Sequence, residues 1–185
     1  MQSAASPFLT ADAGNGFDDL AWVKDMVGDA RIVGLGEGTH GTSEFFRMKH
    51  RLLEYLATNM GFNVFAIEAS MPETYRLNDY VLNGIGDPVR MVKGMGFWTW
   101  NTEEVLNMAL WMREFNASGK GRLQFTGFDM QFVTGASWNV LPFVARADPT
   151  YYSAVSSAYE AAQGVNDDYW RGISVSSARG APVAE

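Results

Sequence analysis

The segment Ile32-Val-Gly-Leu-Gly-Glu-Gly-Thr-His-Gly41 decides the fold of the chain. Its first four residues form a largely apolar run that is typical of a buried strand, and a turn rich in glycine follows at once. Glycine allows a tight turn and lets a ligand approach the backbone closely. Residues 42–60 then show a strong helical period. A strand, a glycine-rich turn and a long helix are the first unit of an α/β domain.

The same alternation continues along the rest of the chain. Residues 62–68, rich in β-branched and aromatic side chains, and residues 123–129 are the other strand candidates, and each closes on an acid. Helices are predicted at 17–28, at 72–83, from Asn101 onward with Glu104 completing a capping box, and from Asp148 to Gly164. Strands that alternate with helices predict an α/β fold with a mainly parallel sheet flanked by helices.

The number of strands is small for such a fold. Three strands make a thin sheet, so the pattern indicates an incomplete domain. We expect residues 1–170 to form a single α/β domain. The small, polar residues 171–185 are expected to be a flexible tail.

Composition excludes several classes of function. The 185 residues carry a net charge of -7, which disfavours nucleic acid as a partner, and they contain no cysteine for a disulfide, a thiol nucleophile or a thiolate metal site. No apolar stretch is long enough to span a bilayer, and residues 1–10 lack the pattern of a secretory signal. We therefore expect a soluble, acidic, cytoplasmic protein with no membrane partner.

Glu37 and His40 are the first candidate catalytic residues. They lie three residues apart in the glycine-rich turn, at the end of the sheet where ligands bind in α/β folds. The helix N-terminus next to His40 disfavours the imidazolium form, whereas Glu37 would favour it and fix one tautomer. An oriented, neutral imidazole can act as a general base on water. The alternative is a histidine that only caps the helix or binds a loop carbonyl.

Lys49 is out of place in the helix that follows. At 100° per residue it falls within the apolar arc, while Arg47, His50, Arg51 and Glu54 fall outside it and are predicted to be on the surface. A lysine in a buried stripe must meet a carboxylate or extend its ammonium group to the edge of the apolar surface. The acids that close the later strands are the expected partners.

Those two acids, Glu68 and Asp129, end neighbouring strands at the edge of the sheet that also carries Glu37 and His40. Either acid alone could cap an adjacent helix. Together with Glu37 and His40 they predict a convergent polar site. Trp98 and Trp100, in a glycine-flanked aromatic loop, could form the wall for an apolar or sugar-bearing substrate, although local packing explains them equally simply.

Two other chemistries remain open for this edge. Residues 36–41 match G-x-G-x-x-G between a strand and a helix, which is the dinucleotide fingerprint. However, Glu37 would place negative charge at the pyrophosphate, and Glu68 lies further along the chain than the usual acid. A metal could instead bind the nitrogen and oxygen ligands of His40, Glu37, Glu68 and Asp129. A non-catalytic binding module is the third alternative.

Four segments resemble the erythromycin esterase family in its order of motifs. They are Ile32-Val-Gly-Leu-Gly-Glu-Gly-Thr-His-Gly-Thr-Ser-Glu-Phe-Phe46, Gly61-Phe-Asn-Val-Phe-Ala-Ile-Glu68, Phe97-Trp-Thr-Trp-Asn-Thr-Glu-Glu104 and Gly127-Phe-Asp-Met-Gln131. The resemblance covers residues 31–132, and it corresponds to the N-terminal portion of a longer family domain.

The resemblance implies hydrolysis of a carboxylic ester, with opening of a macrolide lactone and hence antibiotic resistance as the named activity. It implies that His40 is the base that activates water, that Glu37 is its acidic neighbour, and that Glu44, Lys49 and Glu68 belong to the polar pocket. No cofactor, essential metal or covalent serine intermediate is implied. Family members are longer and bring further histidines, whereas this chain has only His40 and His50, so it is expected to be truncated and to lack part of the site.

Overall fold

The computed structural model describes residues 7–178 of the chain, with side chains through residue 168. It is a mixed α/β structure, as the sequence predicted. After a short 3₁₀ turn at Asp18–Leu20, the elements in chain order are α1 (Ala21–Val27), α2 (Ser43–Met60), β1 (Val64–Ser70), α3 (Met71–Asn83), α4 (Pro88–Gly94), α5 (Glu103–Ala117), β2 (Gln124–Asp129), α6 (Thr134–Ala147) and α7 (Tyr152–Ala178).

The sheet of the described residues consists of β1 and β2, which pair in parallel. The register runs from Val64 opposite Gln124 to Ile67 opposite Gly127, and after a local irregularity Ser70 faces Asp129. A parallel pair needs a long crossover, and α3, α4 and α5 supply it. The carboxyl ends of both strands therefore lie at one edge, as predicted.

The prediction of a strand at residues 32–35 was wrong. This segment has no regular secondary structure, and Ile32 is 89% exposed. Val33 is partly buried against α1 and α2. An apolar run indicates burial, but it does not specify which backbone the segment pairs with. In this segment the partly buried Val33 packs against helices and does not join the sheet.

Helix boundaries differ from the prediction in two places. Thr102, and not Asn101, is the N-cap of α5, and its Oγ1 accepts the amide of Val105 at 3.3 Å. The expected end of the last helix at Gly164 was wrong, because α7 continues to Ala178. Residues 171–178 of the expected flexible tail are therefore helical, and residues 179–185 lie outside the described part of the chain.

Two helices were not predicted. Asp87 caps α4 by accepting the amide of Val89 at 3.0 Å, and Pro88 follows as its first residue. This Asp-Pro start is a recognised signal, although the glycines before it suggested a loop. The other helix, α6, contains Pro142, a residue that usually indicates a helix end. None of the helices within residues 7–178 has both the length and the hydropathy needed to cross a membrane.

The helix α2 separates two apolar cores. On one side Phe46, Leu53 and Ala57 pack with the sheet, α3 and α5 in the larger core. On another side Tyr55 and Leu56 pack with Leu20 and Val23 in a smaller core. The helix α2 is therefore packed on two sides, and the glycine-rich turn directly precedes it.

Gly127 allows α3 to begin close against β2. Its amide donates to Thr74 Oγ1 at 2.9 Å, and a Cβ on this residue would lie 2.1 Å from the carbonyl oxygen of Ala69. Since real Cβ atoms do not approach backbone oxygen so closely, β1 and β2 would have to move apart.

We predict that Gly127→Ala destabilises the protein by at least about 1–3 kcal/mol, the usual cost of forcing extra volume into a packed site. Gly94→Ala is the matched control, because a Cβ at Gly94 would meet no atom within 4 Å. Urea unfolding followed by circular dichroism measures both. Equal unfolding free energies for the two variants would contradict the close packing at Gly127.

Candidate functional site

The carboxylate of Glu37 lies between two nitrogen groups. Its Oε1 is 2.5 Å from His40 Nδ1, and its Oε2 accepts a hydrogen bond from Lys49 Nζ. The side chains of Glu37 and Lys49 are 12% and 15% exposed, whereas that of His40 is 49% exposed. A largely buried ion pair thus holds an imidazole that solvent can reach. We call these three residues the Glu37 site.

The partner of Lys49 differs from the prediction. The expected partners were Glu68 and Asp129, but Lys49 binds Glu37. Helical side chains point back toward the helix N-terminus, and the turn before α2 brings Glu37 to meet this lysine. The ammonium group also lies 4.9 Å from the ring centroid of Phe46, a favourable cation–π contact.

These contacts keep Glu37 ionised. Burial raises the pKa of Glu37, but the hydrogen bonds and charges of Lys49 and His40 outweigh it, so the pKa is lowered from its ordinary value. An ionised carboxylate can only accept a hydrogen bond, so Nδ1 of His40 must be the donor. In the neutral ring the lone pair then lies on Nε2, which is the atom available to an incoming water.

Trp100 packs against the ring of His40. Its side chain is buried at 3% exposure, and its ring meets those of His40 and Phe46 edge-on, with centroids 5.5 Å apart in each pair. Its Nε1 donates to the carbonyl oxygen of Glu68 at 2.6 Å. Trp100 therefore links the end of β1 to His40, while Trp98 is 77% exposed.

The other predicted site residues are less closely associated. Glu68 is exposed on β1 and reaches the site through its backbone carbonyl and Trp100, and Glu44 is exposed in the first turn of α2. Asp129 accepts hydrogen bonds from the amide of Met130 and from Gln131 Nε2, both at 2.7 Å. Within the described residues, no three acids or histidines are grouped so as to bind a metal ion.

The arrangement also differs from a dinucleotide site. The residues before the glycine-rich turn do not form a strand of the sheet. The carboxylate of Glu37 is paired with Lys49 of α2. A pyrophosphate at this turn would therefore have to compete with Glu37 for the ammonium group of Lys49.

A second charged cluster on α2 was missed. Arg51, predicted to be on the surface, is 1% exposed and makes two hydrogen bonds to the carboxylate of Asp19, at 2.5 and 2.9 Å. It also donates to the carbonyl oxygens of Thr10 and Gly16, at 2.6 and 2.8 Å. The segment that covers Arg51 is irregular, so no periodic pattern in the sequence predicts that Arg51 is buried. This cluster fixes the N-terminal segment to α2.

His50 and Glu54 were also predicted to be on the surface, and both are buried. His50 Nε2 is 3.7 Å from a Glu54 carboxylate oxygen and has no hydrogen-bond partner among the described residues, and Glu54 accepts the amide of Gly14 at 2.8 Å. Burial lowers the pKa of His50 to about 4 and raises that of Glu54. The two groups therefore serve the packing of α2, and His40 is the histidine that can exchange protons with solvent.

Comparisons with known proteins agree with the motifs. The model of the erythromycin esterase family matches residues 57–183. The chain is 32% identical over 126 residues to erythromycin esterase type II of Escherichia coli, and 33% identical over 151 residues to the putative hydrolase YbfO of Bacillus subtilis strain 168. These matches cover 67% and 80% of this chain, but only 29% and 32% of the relatives.

Two crystal structures share the fold. One is described as a succinoglycan biosynthesis protein, with 37% identity and a TM-score of 0.76 over 88% of this chain and 41% of that one. The other is a Bacillus cereus protein, with 31% identity and a TM-score of 0.74 over 86% of this chain and 39% of that one. The chain thus spans less than half the length of these relatives.

We predict that His50 makes the protein sensitive to acid. Between about pH 6.5, the ordinary value for histidine, and pH 4, the unfolded chain binds a proton that the folded protein excludes. This histidine therefore contributes stability at neutral pH that is lost as the pH falls through that range, by about 3 kcal/mol in total. The raised pKa of Glu54 acts in the opposite direction and offsets part of it.

Urea unfolding at pH 7 and at pH 4 tests this prediction. His50→Leu should show a smaller loss of unfolding free energy on acidification than the wild type. Gln124→Leu, which replaces an exposed side chain that does not titrate, is the control and should remain as acid-sensitive as the wild type. The prediction is wrong if His50→Leu and the wild type lose the same unfolding free energy.

Proposed function

The chain belongs to the erythromycin esterase family, and we propose that it hydrolyses carboxylic esters with His40 as the general base. The observation that carries this proposal is the 2.5 Å contact between Glu37 and His40 Nδ1, made to a carboxylate that Lys49 keeps charged. It resembles the base-and-orienting-acid arrangement by which enzymes activate water.

In the proposed reaction, a water molecule attacks the ester carbonyl carbon while His40 Nε2 takes its proton. The ring becomes an imidazolium, and the adjacent Glu37 carboxylate stabilises that charge. The tetrahedral intermediate then collapses, the carbon–oxygen bond of the ester breaks, and the departing alkoxide takes the proton from Nε2. The products are a carboxylic acid and an alcohol, and no cofactor is needed.

The remaining residues have supporting roles in this proposal. Trp100 packs edge-on against His40 and holds its ring, as the 5.5 Å centroid distance indicates. Glu68, Asp129 and Glu44 are proposed to form a polar floor that accepts hydrogen bonds from hydroxyl groups of the substrate. Trp98 is 77% exposed and is proposed to contact an apolar or sugar-bearing part of the substrate.

The identity of the ester is a further part of the proposal. Two curated relatives are named erythromycin esterases, and a third is a putative hydrolase. A macrolide lactone is therefore one substrate to test. A role in macrolide resistance requires that the protein hydrolyses this lactone. Since the chain spans 27–32% of the length of these curated relatives, its activity alone is itself proposed.

We expect His40→Gln to lower kcat/KM for ester hydrolysis by about 10²- to 10⁴-fold, the usual contribution of a general base. A macrolide lactone and a panel of p-nitrophenyl esters are the substrates, and hydrolysis in buffer alone gives the background rate. The proposal fails if the wild type does not exceed this background, or if His40→Gln is as active as the wild type.

Glu37→Gln should lower kcat/KM by a similar factor, because a neutral amide neither fixes the Nδ1 proton nor stabilises the imidazolium. Glu114→Gln is the matched control, since Glu114 is an exposed glutamate on α5. The same ester assay measures both variants. If Glu37→Gln and Glu114→Gln have equal rates, Glu37 has no role in orienting the base.

A further inference from the structure

An apolar cavity adjoins the Glu37 site. It has a volume of about 300 Å³ and lies between residues 33–36, α1 and α2. Most of its wall is hydrocarbon, and its lining includes Trp22, Val27, Val33, Met48, Leu52 and Leu56. This size is at the lower end of the range for small-molecule pockets.

The cavity and the Glu37 site share part of their wall. Lys49 lines the cavity, and the same side chain donates to Glu37. Gly36 also lines the cavity and directly precedes Glu37 in the chain. A group that fills the cavity is therefore next to the carboxylate that orients His40.

The chemistry of the wall selects the ligand. An apolar wall provides few partners for water, so filling it with hydrocarbon is favourable. The ammonium of Lys49 is already paired with Glu37, and a charged ligand would have to compete with that pair. The wall therefore suits a neutral hydrocarbon group and not an anion.

We propose that this cavity binds the aliphatic acyl chain of the ester, with the carbonyl group left at the Glu37 site. This inference rests on the proposed function, because it assigns the substrate's apolar part to a place beside the base. If the acyl chain binds in this cavity, medium-chain esters should be better substrates than acetates. Each methylene that enters the cavity gains about 0.8 kcal/mol at most, which is about fourfold in binding.

A binding experiment tests the cavity without any hydrolysis. The probe is 2-octanone, a neutral ketone that carries the hydrocarbon chain of a heptanoyl ester and cannot be hydrolysed. Methionine methyl groups labelled with ¹³C report its position by NMR, because Met26 and Met48 line the cavity. Met130, which is 88% exposed and lies outside the cavity, is the control. Saturable shifts at Met26 and Met48, without one at Met130, are expected.

A pair of variants tests the same point. Met26 is 68% exposed and lines the cavity, so Met26→Glu should fold normally and weaken 2-octanone binding by about tenfold, as observed at the Met48 methyl group. Ile32→Glu is the matched control, since Ile32 is 89% exposed and does not line the cavity. It should bind 2-octanone as the wild type does.

Three outcomes separate the two proposals. Binding of 2-octanone at Met26 and Met48 without hydrolysis of any ester would support the cavity and overturn the proposed function. Hydrolysis that depends on His40 but shows no preference for heptanoate over acetate, with no shift at these methionines, would overturn the cavity as the acyl site. Equal weakening by Met26→Glu and Ile32→Glu would also overturn it.

Discussion

The carboxylate of Glu37 is the group on which the candidate site depends. It accepts from Lys49 on one side and contacts His40 Nδ1 at 2.5 Å on the other. Without Lys49, burial would act to raise the pKa of Glu37 with only His40 to oppose it, and without Glu37 the lysine would be a partly buried cation that has lost its carboxylate partner. The ion pair with Lys49 thus stabilises a charged Glu37 beside the solvent-exposed imidazole of His40. The charge on Glu37 decides which ring nitrogen of His40 carries the proton.

The helix α2 carries both this site and the contacts that hold it in place. Lys49 faces the glycine-rich turn, whereas Arg51 is buried against Asp19 and two carbonyl oxygens of the N-terminal segment. Each cation secures an irregular segment that has little regular hydrogen bonding of its own. Apolar side chains elsewhere on α2 pack into both cores. The helix α2 therefore holds two irregular segments in place. One is the N-terminal segment, and the other is the glycine-rich turn that contains the proposed base.

Much of this could be predicted from the sequence because the signals are local. The helical period of residues 42–60, the two strands that carry Glu68 and Asp129 near their carboxyl ends, and the Glu37–His40 spacing all follow from short patterns. What could not be predicted depends on partners distant in sequence. Residues 32–35 have a strand-like composition but pack against helices, and Arg51, His50 and Glu54 have polar side chains that the irregular N-terminal segment covers. The hydrophobic period shows which side of a helix is apolar. It does not show whether another segment of the chain packs over the polar side and buries it.

The central claim is that Glu37 holds the proton of His40 on Nδ1 and leaves Nε2 as the base. The ¹⁵N chemical shifts of the His40 ring, recorded by long-range ¹H–¹⁵N correlation at a pH where the ring is neutral, measure this directly. The wild type should show a protonated Nδ1 and an unprotonated Nε2, and Glu37→Gln should lose this preference. A neutral ring protonated on Nε2, or the same ring tautomer with the same populations in Glu37→Gln, would contradict the claim.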